Sequence, residues 1–105
     1  MATMRQLVGE VLRAHRAEQG LTLRAVSGRA RVSLGYISEI ERGQKEPSSE
    51  LLAALAEALD VPLSSVLRDV ADQMELHELA TQQVAPAPLA SVSSIAVDGV
   101  RASAA

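Results

Sequence analysis

Apolar residues recur three and four positions apart along most of the chain, and this spacing predicts a series of short amphipathic helices. The first runs from Met4 to Gln19, with Leu7, Val8, Val11 and Leu12 on its inner stripe and Ala14 and Ala17 continuing it. Gly20 suits the left-handed position after a helix, and Thr22 is a good N-cap for the next one. A second helix over Leu23–Ala30 places Val26 and Ala30 four apart on one face. Arg31, Val32 and Ser33 form a short connection. Ser33 then caps a third helix, from Leu34 to about Arg42, which buries Ile37 and Ile40 and stops at Gly43.

The stretch "QKEPSSE" is a loop, after which Ser48 or Ser49 caps a fourth helix with Glu50 in its first turn. Leu51, Leu52, Leu55 and Leu59 share one side of it, and Asp60, Val61 and Pro62 break the pattern. A fifth helix starts near Leu63 or Ser64, carries Val66, Leu67, Val70 and Met74 on its apolar face, and extends to about Gln83. From Pro86 the composition turns to Ala, Ser and Val, which reads as a flexible tail. Short strands over 91–97, with Asp98-Gly99 as a turn, are the alternative. The expected organisation is an all-α domain over 4–83 and a low-complexity tail over 84–105.

Composition narrows the chemistry. With 105 residues there is one domain's worth of chain, and without Phe or Trp, and with a single Tyr, its core must be aliphatic. The absence of cysteine excludes disulfides, thiolate metal sites and cysteine nucleophiles. No apolar run approaches the length of a membrane span, and the N-terminus lacks a signal-peptide core, so a cytoplasmic, nucleoid-associated protein is expected. His15 and His77 have no companions at ligand spacing and are expected at the surface. There is no Gly-rich phosphate loop and no Gly-x-Ser-x-Gly elbow, so neither an enzyme nor a cofactor is expected.

The net charge of −3 hides an asymmetry. Residues 1–46 hold eight basic and five acidic side chains, a balance of +3; residues 47–105 hold two and eight, a balance of −6. Such polarity points to a nucleic-acid face in the first half, with chance clustering as the alternative. The second and third helices are joined by about three residues, and a polar cap opens the third. That is a helix-turn-helix arrangement over 22–42, which lays its second helix in the major groove.

The stretch "GLTLRAVSGRARVSLGYISEIERG", followed by "EPSSELLAALAEALDV", resembles the Cro/C1-type (XRE) family of transcriptional regulators. The likeness covers roughly Val11 to Val70, and it implies a five-helix, lambda-repressor-like DNA-binding domain. More narrowly, "RVSLGYISEIERGQKEPSSELL" is similar to the actinobacterial clp gene regulators (the ClgR group), whose members activate Clp protease and stress genes. The resemblance implies that Leu34, Gly35 and Glu39, with Ser38 beside them, face the bases; Ser33, the N-cap, is a further DNA-binding candidate. It implies that Thr22, Leu23, Arg42, Gln44 and Lys45 meet the DNA backbone, and that Arg16 and Glu41 form a buried ion pair. Two positions depart from the pattern: Leu23 stands where Gln is usual, and Arg31 where Gly is usual.

The residues themselves suggest roles within that frame. The Tyr36 phenol can donate to a phosphate while its ring covers sugar atoms; the alternative is that it caps the edge of the core. Gly35 removes a side chain where the backbone would press on the DNA. Leu34 can touch a thymine methyl and Glu39 can accept from a cytosine amino group, the alternatives for Glu39 being a solvated charge or an internal pair with an arginine of the second helix. Arg24, Arg29 and Arg31 are candidate phosphate partners or ordinary exposed charges.

A single module of this kind reads few base pairs, so a homodimer on an inverted repeat is expected, with half-sites about one helical turn apart. Val70, Met74, Leu76 and Leu79 are the expected interface, the alternative being a longer helix folded back on its own core. RNA polymerase is a further candidate partner, as is a Clp protease reading Ala104 and Ala105. The competing functions are an antitoxin whose C-terminal segment binds a toxin and a helix-turn-helix fold used only for protein contacts.

Overall fold

The structure is a computed structural model and describes residues 2–82. The tail, with the alternative strands over 91–97 and with Ala104 and Ala105, lies outside the described residues. Five helices follow one another: α1 (Met4–Glu18), α2 (Leu23–Ala30), α3 (Leu34–Glu41), α4 (Ser49–Ala58) and α5 (Leu63–Gln82). The chain divides after Glu75; residues up to that point form one compact unit, and α5 runs on from Leu76 to Gln82.

Local chemistry sets the helix starts. Thr22, Ser33 and Ser48 each accept from the backbone N–H three residues on, at 3.0, 3.1 and 3.1 Å. Thr3 and Gln6 form a reciprocal capping box at the head of α1, which starts at Met4 as expected though its cap was not foreseen. Each cap satisfies a donor that has no partner within the helix, worth about 1 kcal/mol.

The first four helices also end alike. The N–H of Leu21, Val32, Gln44 and Val61 each bonds the carbonyl five residues back, at 2.9–3.2 Å. That closure needs a left-handed residue just before the donor. Gly20 (φ 70°) and Gly43 (φ 76°) supply it after α1 and α3, whereas Arg31 (φ 60°) and Asp60 (φ 57°) supply it after α2 and α4. Arg31 therefore keeps the turn geometry of a glycine and bears the strain, on the order of 1–2 kcal/mol for a residue with a Cβ.

Among the described residues the core is wholly aliphatic, and no polar side chain is buried in it. Leu7, Val8, Val11 and Leu12 of α1 meet Val26, Ile37, Ile40, Leu55, Leu59, Val66 and Val70. α3 packs on α1 and on α2, and α2 packs on α4. Four expectations are corrected. Ala14 and Ala17 are exposed, because past Leu12 the inward face of α1 falls on His15 and Arg16. Leu67 is 49% exposed, since Val66 and Val70 already fill the space below α5. His15 is half-buried and paired. Val70 is 4% exposed and belongs to the core, so it is unavailable to a second copy.

Candidate nucleic-acid interface

α3 is eight residues long, and its side chains divide sharply between inward and outward roles. Ile37 and Ile40 enter the core. Glu41 is drawn back toward α1 by a two-pronged contact: Arg16 Nε donates to its Oε2 at 2.7 Å and the second guanidinium nitrogen to its Oε1 at 3.0 Å. The third arm of Arg16 donates to the Leu21 carbonyl at 2.9 Å. The pair is largely withdrawn from water, at 18% and 9% side-chain exposure. Its hydrogen bonds to Glu41 hold the Arg16 guanidinium above its already high range, against the opposing effect of burial. The expected ion pair is therefore present.

Further contacts fix the same end of α3. Arg5 Nε donates to the Gly43 carbonyl at 3.1 Å. At Gly9, α1 lies so close that an added Cβ would stand 2.4 Å from the Ile40 carbonyl oxygen. Neither was legible from the chain: a lone arginine and a lone helical glycine carry no pattern. The trailing end of α3 is thus clamped to α1.

The leading end is free. Leu34 is 37% exposed, Ser33 and Gly35 are exposed, and nothing lies within 4 Å of where a Gly35 side chain would begin. Tyr36 is half-buried and packs against the edge of the core, with part of its surface left accessible. Ser38 and Glu39 are half-buried, and Glu39 has no salt bridge among the described residues. Arg42 donates to Ser38 Oγ and, at 3.4 Å, to Gln44 Oε1, gathering these groups beside Lys45.

The preceding helix completes the surface. Thr22 is exposed at its head and Arg24 is exposed in its first turn. Leu23, in place of the usual amide, is half-buried against the core and acts there as a packing residue. Arg29 is not a free phosphate partner: it donates to the Ala58 carbonyl at 3.1 Å and so ties α2 to the end of α4. Arg31 lies in a groove with Glu57 and Asp60, where a phosphate would meet carboxylates.

Elsewhere, His15 Nε2 and Asp69 Oδ2 are 2.7 Å apart, joining α1 to α5, and the histidine side chain is only 15% exposed. Met74 packs partly against the core, whereas Leu76 and Leu79 are 60% and 55% exposed. Among the described residues no cluster of side chains could hold a metal ion, and no helix is long and apolar enough to cross a membrane.

A helix-turn-helix family model matches residues 12–66. The transcriptional regulator ClgR of Mycobacterium tuberculosis H37Rv is 61% identical over 77 residues, spanning 73% of this chain and 69% of that protein. The chain belongs to the ClgR family of helix-turn-helix transcriptional regulators. The crystal structure of the clp gene regulator ClgR from Corynebacterium glutamicum superposes with a TM-score of 0.73 at 42% identity, over 79% of this chain and 88% of that one. The restriction-modification controller protein C.Esp1396I, solved as a tetramer on its natural 35 base-pair operator, shares the fold at 20% identity and a TM-score of 0.60, over 68% of this chain and 99% of that one. In this ClgR-family chain the helix-turn-helix is the unit formed by α2 and α3, which lies within the matched residues 12–66.

Proposed function

We propose that the protein binds an inverted-repeat operator as a homodimer, with the leading end of α3 in the major groove of each half-site. One observation carries this reading. The first turn of α3 presents Leu34, Gly35 and the nearby Glu39 without intramolecular employment, while its last turn is clamped. A helix held at one end and bare at the other is suited to insertion, because the clamp fixes its angle before binding and little further ordering is needed. Leu34 and Glu39, with Ser33 and Ser38 beside them, face base edges, and Gly35 lets the backbone approach. Tyr36, Thr22, Arg24, Arg42, Gln44 and Lys45 meet sugars and phosphates. Met74, Leu76 and Leu79 of α5 join the two copies.

The name of the Corynebacterium glutamicum relative supports clp genes as the regulated set; activation through contact with RNA polymerase is the direction of control we propose for them. A Clp protease reading Ala104 and Ala105 would close a feedback loop. In that case changing both to Asp lengthens the protein's lifetime in cells, and an unchanged lifetime removes the loop. The antitoxin alternative rests on the segment outside the described residues, and no observation favours it.

The test is fluorescence anisotropy with clp promoter fragments across a salt series, comparing the parent with Glu39→Ala and Gly35→Val. Expected are selective binding that weakens steeply with salt and loss of selectivity in both variants, with folding intact by circular dichroism. Equal selectivity in folded variants and parent would overturn the assignment of α3.

A further inference from the structure

Arg31 and Asp60 are the non-glycine residues at positive φ among the described residues. Each closes its helix with the same bond that Gly20 and Gly43 close elsewhere, so the fold asks for no side chain at either place. Arg31 follows α2, Asp60 follows α4, and the two helices pack together. As a result both positive-φ positions, Arg31 with the strain of a long side chain and Asp60 as a residue type that takes this conformation more readily, line one surface groove with Ala30, Ala54, Glu57 and Arg29. Arg31, Glu57 and Asp60 are exposed, and among the described residues none of their side chains makes a hydrogen bond or a salt bridge. Strain retained at an exposed, unpaired charge points outward, to something that the charge meets.

The groove carries both signs of charge side by side. That argues against a phosphate backbone, which would be repelled by Glu57 and Asp60 on reaching Arg31. It fits a two-fold axis, because an isologous interface uses one patch twice and the patch must complement itself. Across such an axis each arginine faces the carboxylates of the other copy, and the small Ala30 and Ala54 let the backbones approach. We infer that the groove between the C-terminal ends of α2 and α4 is a contact surface for a second copy of this chain, in which Arg31 pairs with Asp60 and Glu57 across the axis. The contact shares no residue with the association through α5, so together the two would join dimers into larger assemblies.

Charge exchange between copies tests this without DNA. Arg31→Asp sets like charges together across the axis, and so does Asp60→Arg. Each variant alone should lose the association step in sedimentation velocity of the full chain, its dissociation constant rising about tenfold. An equimolar mixture restores opposite charges at both contacts, and the step should return between unlike copies at low salt. Both changes put a residue type where the fold already tolerates a left-handed Asp or Arg, and thermal melting verifies that each variant is folded. A parent chain with no charge-sensitive association step overturns the inference. So does a mixture that behaves as the average of its two components, which is what an attraction within one subunit would give.

Discussion

Gly9 and Gly28 both lie inside helices, and replacing a helical glycine by alanine ordinarily stabilises by about 1 kcal/mol. The structure separates them. Around Gly28 nothing lies within 4 Å of an added Cβ, so Gly28→Ala should show the ordinary gain. At Gly9 the same atom would stand 2.4 Å from the Ile40 carbonyl oxygen and 2.8 Å from that of Glu41, where ordinary contact begins at 3.4 Å. Both obstacles are backbone, so no side chain can rotate away, and α1 must withdraw from α3 by the missing distance. Overpacking costs about 1–3 kcal/mol, and rigid backbone on the far side puts this case near about 3. After the propensity gain of about 1, the net loss is about 2 kcal/mol.

For a domain of about 80 residues each kcal/mol moves the melting temperature by about 4–8 °C. Gly9→Ala should therefore melt about 8–16 °C below the parent and Gly28→Ala about 4–8 °C above it. Thermal unfolding followed by far-ultraviolet circular dichroism reads both. The chemical change is identical, so the opposite signs come only from what each position touches. Should Gly9→Ala melt at or above the parent, the close crossing of α1 and α3 is not what holds α3 in place.

Arg16→Ala or Glu41→Ala should cost about 3–5 kcal/mol in urea unfolding by leaving one charge stranded, while replacing both by apolar residues of similar size recovers most of the loss. Arg31→Gly relieves left-handed strain of about 1–2 kcal/mol against an unfolded-chain cost of about 0.4–1, so the midpoint of unfolding should rise by the difference. Arg24→Ala and Lys45→Ala should each lower the slope of log affinity against log salt by about 0.9 with melting unchanged. Leu76→Asp with Leu79→Asp should shift the chain toward monomer in sedimentation at unchanged helicity, and a persistent dimer would place the interface elsewhere.

The helices were legible because each carries its signal locally. Thr22, Ser33 and Ser48 announce starts, Gly20 and Gly43 announce stops, and Ile37 and Ile40 mark the inner face of α3 at helical spacing. What stayed hidden depends on contacts between distant parts of the chain. Arg29 looks like any exposed cation until the end of α4 comes within reach of its guanidinium. His15 looks solitary because Asp69 is 54 positions away. Val70 and Leu76 are both apolar residues of α5 in the sequence, and only packing shows that one is consumed by the core and the other is exposed.

The candidate interface was readable for a related reason. In a helix as short as α3 most residues are employed inside the subunit. Ile37 and Ile40 fill the core, Glu41 binds Arg16, Ser38 steadies Arg42 and Tyr36 rests partly on the aliphatic core. Subtracting these leaves Leu34, Gly35 and Glu39, which nothing inside the subunit employs. A glycine with open space beside it and no need for positive φ costs helix stability without benefit to the folded monomer. At Gly35 the docking proposed above would supply that benefit, whereas Gly28, equally open, lies in the body of α2. The same subtraction applied to α2 and α4 leaves Arg31, whose conformational cost the isolated subunit does not explain, and Asp60 beside it as an unpaired charge. The difference between the sites lies in their charge: one end of the helix-turn-helix is backed by Arg24, Arg42 and Lys45 and suits a polyanion, while the other sets Arg31 among carboxylates and suits only a partner that carries both signs.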